Sequence, residues 1–240
     1  PLPQTALQHA RTKPEFIFLT DMLGLRERDD YKTQIVFIRH GESYGNIGLA
    51  TPEGFHPDDP PLTEKGLEQA KKLSACFKEG ELAHIYASPL TRTVQTVYPT
   101  AEKLGMNIEL LPDLMEIGTR IAGCEREMLE RDFPLSIPCT SEPTPTGGTL
   151  LLPENESAEM LAARAKRCID YIRNNYSNGE TVIVVSHGTY FGYLIRECLE
   201  IGSNETFNWE ADNCSATCVV LRKDGRKPLL RTANNTTHLL

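Results

Sequence analysis

Four short runs of apolar, largely β-branched residues punctuate the chain: Ile35-Val36-Phe37-Ile38, Leu82-Ala83-His84-Ile85-Tyr86, Val182-Ile183-Val184-Val185 and Thr217-Cys218-Val219-Val220-Leu221. They do not alternate between apolar and polar, which is the pattern of strands buried on both faces in a helix-covered parallel sheet. Between them the apolar spacing changes to three and four. Thr63 stands where it can cap a helix carrying Leu67, Ala70, Leu73 and Phe77. Ser88 followed by Pro89 predicts the start of a second helix, ending near Leu104 and Gly105. A third spans about 156–174, with Leu161, Ala165, Cys168, Ile169 and Ile172 on one face, and a fourth runs from Gly188 towards Leu199. Strands alternating with helices predict an α/β chain, a three-layer α/β/α sandwich with a mostly parallel central sheet.

Two regions break the alternation. Residues 1–30 precede the first strand, with Asp21 as the possible cap of a short helix, and are expected to form an extension on the sheet edge. Residues 134–153 hold five prolines and Gly147-Gly148, which predicts an extended surface excursion rather than a linker. The expectation is one domain over 1–240, with a core at about 33–222 and a lid insertion at 118–153.

Composition narrows the classes. The 240 residues carry a formal charge of −8, which argues against a nucleic-acid binder with a broad basic surface. It leaves room for an anionic ligand held by a local arginine cluster. Seven cysteines, with no Cys-x-x-Cys and no zinc-type histidine spacing, read as reduced thiols. Phe16-Ile17-Phe18-Leu19 is too short for a signal peptide, and no run approaches the ~18 apolar residues of a membrane span. The chain starts at Pro1, which suggests a trimmed sequence. It reads as soluble and cytoplasmic, without membrane or nucleic-acid partners. Its oligomeric state is not legible.

The candidate chemistry lies at strand ends. Arg39-His40-Gly41-Glu42-Ser43, with Asn46 close behind, follows the first run. Ligands of open α/β sheets bind at the carboxyl ends of strands. Ser88-Pro89-Leu90-Thr91-Arg92, then Gln95-Thr96, follows the second run and puts Arg92 near a helix N-terminus, where an anion is favoured. Ser186-His187-Gly188 follows the third run. Parallel strands would bring two histidines and the arginines to one edge as a small cationic pocket. Glu116 is a candidate proton donor near it, and Asp113, Glu125 and Glu127 are further candidates.

These motifs resemble the histidine phosphatase superfamily, which includes the cofactor-dependent phosphoglycerate mutases. Leu62-Thr63-Glu64-Lys65-Gly66 with Gln69-Ala70, and Glu156-Ser157 with Arg164, extend the likeness across about 33–222. The resemblance implies that His40 is the nucleophile and that Arg39, Arg92, His187 and Gly188 hold the phosphoryl oxygens. Asn46 and Ser43 would add hydrogen bonds, and Glu116 would act as acid and then base. It implies a phosphomonoester hydrolase that uses neither metal nor cofactor, its positive charge coming from the arginines and His187. The substrate would be a small phosphorylated molecule.

Two rival readings stay open, a phosphoglycerate-type phosphomutase and a non-catalytic phospholigand-binding member. The tryptophan segments of the mutases are absent after Asn46 and after Glu116, which weakens the first. Gly188 stands where the acid phosphatase and phytase branch has Asp, which separates the chain from that branch. Arg120, Arg126 and Arg131 either bind a second anionic group or form a solvated helix face with Glu125, Glu127 and Glu130.

Overall fold

The computed structural model describes residues 29–121, 123–138, 155–202 and 207–240. Seven strands form one sheet: β1 (Tyr31–Arg39), β2 (His84–Ala87), β3 (Ile108–Leu110), β4 (Ser136–Pro138), β5 (Glu180–Ser186), β6 (Ala216–Arg222) and β7 (Leu229–Asn235). Their order is β4-β3-β2-β5-β1-β6-β7. β6 runs antiparallel to both its neighbours, while the pairs from β4 across to β1 are parallel. The mostly parallel α/β sandwich expected from the apolar runs is the observed architecture.

Five α-helices are described: α1 (Glu64–Ala75), α2 (Thr91–Leu104), α3 (Arg126–Asp132), α4 (Ala158–Asn175) and α5 (Gly188–Cys198). Alternate residues of each central strand feed two separate cores. Val36, Ile38, Ile183 and Val185 meet Leu73 of α1 and Val94, Val97 and Ala101 of α2. Ile35, Phe37, Val182 and Val184 meet Leu161, Ala165 and Ile169 of α4 and Phe191, Leu194 and Ile195 of α5. A strand packed on both faces has no polar side to show, hence the unbroken apolar runs.

Several expectations need adjusting. Leu67 is exposed rather than core, because α1 is turned so that Gly66, Ala70 and Leu73 face inward. The second helix begins at Thr91, two residues after Pro89, with Leu90 at its cap position. Ser88 has a partner outside the helix, described below. β3, β4 and β7 went unread: β3 and β4 have three residues each, too few for a pattern, and β7 is a half-exposed edge strand.

Part of the expected lid, 126–138, is a short helix and an edge strand. Leu129, Phe133 and Leu135 pack on the core, and β4 pairs with β3. Residues 139–153 of that lid lie outside the described residues, as do Asp21 and nearly all of the N-terminal extension. Among the described residues no helix is long and apolar enough to cross a membrane.

Candidate active site

Strand register assembles the site. β1 and β5 are parallel with Arg39 opposite Ser186, so the next residues, His40 and His187, leave the sheet side by side. Their ring centroids are 5.2 Å apart. β2 pairs with β5 so that Ala87 lies opposite Val185, which brings Ser88 beside them. The Ser88 hydroxyl meets Nε2 of His187 at 2.9 Å. The same hydroxyl accepts from the Leu90 N–H at 3.3 Å, one residue before the helix begins.

His40 is buried, and its Nδ1 lies 2.7 Å from the Gly41 carbonyl. A carbonyl only accepts, so Nδ1 carries the hydrogen and the Nε2 lone pair remains for attack. Burial, followed by the Arg92 charge, pushes both imidazoles well below the usual histidine range. Both rings are therefore neutral near pH 7. This suits a nucleophile, and in the unliganded protein the same shift favours the uncharged form of His187, which hydrogen-bonds Ser88.

Formal positive charge comes from two arginines. Arg39 donates through Nη1 to the Ala211 carbonyl, and the fields of Glu116 and Asp212 oppose the effect of its burial. Its Nε lies so close to Gly188 that a methyl there would sit 3.1 Å from it, so any side chain after His187 would press on the guanidinium. Arg92 lies 3.5 Å from Asp59, a buried carboxylate that also accepts from the Thr91 N–H and hydroxyl. Burial raises the Asp59 carboxyl above its ordinary range, against the hydrogen bonds from Thr91 and the Arg92 charge. Nε of Arg39 and Nδ1 of His187 are among the buried polar atoms without a hydrogen-bond partner. The Arg39 N–H, and His187 Nδ1 in the tautomer that carries its hydrogen there, can donate to an anion.

Glu116 lies at the N-terminus of α5. Its carboxylate accepts from the N–H groups of Tyr190 (3.0 Å), Thr189 (3.2 Å) and Ile117 (3.0 Å). It acts electrostatically on both Arg39 and Arg92. The other acidic candidates are placed differently. Asp113 is buried in an ion pair with Arg167 at 2.9 Å, and Glu125 and Glu127 are exposed.

Asn46 accepts through Oδ1 from the Ser43 N–H and hydroxyl, both at 3.0 Å, and from Asn213 at 2.9 Å. Ser43 is thus buried against Asn46 and holds that residue. Arg126 and Arg131 pair with Glu130 and Asp132 at the surface, which is the solvated-face arrangement.

The sequence matches the model of the histidine phosphatase superfamily (branch 1) over residues 35–236. The chain belongs to this superfamily. A probable phosphoglycerate mutase from Photorhabdus laumondii is 30% identical over 217 residues, covering 86% of this chain and 94% of the relative. Phosphoserine phosphatase 1 from Hydrogenobacter thermophilus is 27% identical, with the same coverages. Among solved structures, a phosphoserine phosphatase mutant from Entamoeba histolytica in complex with phosphoserine superposes with a TM-score of 0.56 at 24% identity, covering 87% of this chain and all of that one. A mycobacterial glucosyl-3-phosphoglycerate phosphatase gives 0.59 at 19%, covering 85% and 99%.

The remaining superfamily motif positions brace the segments around the site. Thr96 accepts from the Gly41 N–H at 2.9 Å and Gln69 from the Glu42 N–H at 2.8 Å. Gln95 accepts from the Leu62 N–H at 2.8 Å. Arg164 is fully buried against Glu156 at 2.8 Å and donates to the carbonyls of Asp113 and Met115, fixing the chain just before Glu116. Two contributors were missed in the sequence. Asp59 sits in an acidic, proline-rich stretch that looks like solvated loop. Asn213 bridges the carbonyls of His40 and Gly41 to Asn46 from a segment with no pattern at all.

Proposed function

We propose that this histidine phosphatase hydrolyses small phosphomonoesters through a phosphohistidine on His40. The observation that carries the reading is a buried imidazole, oriented through its Nδ1 and held below the usual histidine range, beside a second histidine and two arginines. In the first step Nε2 of His40 attacks phosphorus, the bond to the ester oxygen breaks, and Glu116 delivers a proton to that oxygen. In the second, water attacks phosphorus, its proton passes to Glu116, and the N–P bond breaks. Phosphoryl transfer depends on positioning and on neutralising the equatorial oxygens. Arg39 and Arg92 supply charge in forked geometry, with His187, Asn46 and the Gly188 region adding donors. The covalent intermediate divides one difficult displacement into two.

The substrate is a small phosphorylated molecule, and the scheme uses neither metal nor cofactor. The test is a phosphate-release screen over many phosphomonoesters, with His40→Ala as the blank. Loss of turnover in that variant, and an acid-labile phosphoryl label on the wild-type protein, are the expected results. Substantial hydrolysis by the alanine variant would refute the role of His40. The mutase reading is kept in view by the name of the Photorhabdus relative. It requires interconversion of phosphoglycerates without net phosphate release, which the same screen separates.

A further inference from the structure

A cleft of about 940 Å³ opens beside the phosphoryl pocket, between α5, the start of α4 and the segment 207–212. It adjoins the phosphoryl site through Arg39 and Gly188. Arg39, Gly188 and Thr189 line it, and the Thr189 N–H is held by the Glu116 carboxylate, the proposed proton donor. A leaving oxygen protonated by Glu116 therefore departs next to the mouth of this cleft.

The lining has a definite character. Tyr193, Phe207 and Trp209 give it flat apolar surface, with the last two rings nearly parallel at 5.9 Å between centroids. Its charged rim is acidic, made of Glu159, Glu210 and Asp212, all exposed. Of its two cations, Arg39 belongs to the phosphoryl site. Arg196 donates to the carbonyls of Ile201 and Gly202. A carboxylate on the leaving group would meet three carboxylates at the rim against one cation, Arg196, that the phosphoryl site does not use, and this excess of like charge opposes its binding. An aromatic or otherwise flat apolar body would gain contact area and, if cationic, attraction from both the rings and the rim.

Resting on the hydrolase reading above, we propose that this cleft receives the leaving group, and that the substrate is the phosphate ester of a flat, mainly apolar alcohol without negative charge. Phosphoglycerate and phosphoserine, whose leaving groups carry a carboxylate, are poor substrates on this view.

The test uses alkyl esters throughout, so that leaving-group acidity does not decide the result: 2-(1-naphthyl)ethyl phosphate, 3-phosphoglycerate and phosphoserine. The wild-type enzyme should favour the naphthyl ester by tenfold or more in kcat/KM. Ala162→Trp places bulk in the cleft from an exposed position on α4. It should lower kcat/KM for the naphthyl ester about tenfold, mainly through KM, and leave inhibition by vanadate unchanged. Glu210→Lys should narrow the preference over 3-phosphoglycerate several-fold.

A wild-type preference for a carboxylated ester, or an Ala162→Trp enzyme within twofold of wild type on the naphthyl ester, overturns the assignment while leaving the hydrolase intact. Failure to release phosphate from any ester removes the hydrolase reading, and this inference with it.

Discussion

Gly66 and Gly41 face one another where α1 meets the loop that carries the nucleophile. A methyl on Gly66 would fall inside the contact radius of the Glu42 carbonyl oxygen, 3.0 Å from its carbon and 3.1 Å from its nitrogen. A methyl on Gly41 would lie 2.9 Å from the Gly66 oxygen. These neighbours are backbone atoms, so no side chain can rotate out of the way. Restoring an ordinary carbon–oxygen contact of roughly 3.3–3.6 Å means displacing the 40–42 loop or the start of α1 by more than about 1 Å. Gly66→Ala should gain about 1 kcal/mol from helix propensity and lose about 1–3 kcal/mol to overpacking. The net change is a destabilisation of roughly 0–2 kcal/mol. Catalysis suffers more, since a 1 Å misplacement of a reacting group costs about 10²-fold. The assay is kcat/KM on an accepted ester together with urea unfolding. Gly192→Ala is the stability control: it is also helical, but its methyl would meet Trp209 at an ordinary 3.8 Å and should stabilise by up to about 1 kcal/mol. If Gly66→Ala keeps wild-type kcat/KM and gains stability as the control does, the close-approach reasoning is refuted.

Three other outcomes follow from buried charge. Asp59→Ala strips Arg92 of its carboxylate and leaves the Thr91 N–H unpaired, so stability should fall by about 3 kcal/mol in urea and vanadate inhibition should weaken; unchanged values for both would dismiss the anchor. Arg164→Met leaves Glu156 buried without its partner and should cost about 3–5 kcal/mol, with Glu156→Gln in the same chain recovering part of it; equal loss in the single and double variants would show that the pair is not what matters. Burial depresses His40, His84, His187 and His238 in the folded state. The unfolded chain therefore takes up protons first as pH falls through about 6.5, and the stability present above that pH is progressively lost below it. Asp59, shifted upward, works in the opposite direction towards the acid end. A urea midpoint at pH 5.5 equal to or above that at 7.5 would contradict the histidine assignment.

Legibility followed the range of the interaction. Ile35–Ile38 and Val182–Val185 announced a doubly covered parallel sheet, because a strand packed on both faces must be apolar at every position. The short motifs ending in His40, Arg92 and His187 were equally plain, since each lies at a strand end and is only a few residues long. Strand register was not visible. The pairing of Arg39 with Ser186 brings the two histidines to 5.2 Å, and it depends on contacts almost 150 positions apart. Leu67 shows the limit of periodicity: its spacing fits the inner face, yet the helix turns by one residue because Gly66 must lie against the Glu42 backbone.

Charge states belonged to the tertiary structure as well. His187 reads as a cation in a motif, but burial and the Arg92 charge push its pKa down and favour the neutral ring. Asp59 and Asn213 carry no local pattern, since each acts only through residues that folding brings to it. The amino-acid order by itself determined the layers of the fold and the chemical groups available at one sheet edge. Only the packed molecule decided which of those groups meet, which way their ionisation is pushed, and which polar atoms are left without a partner, because distance and desolvation do not exist until the chain closes on itself.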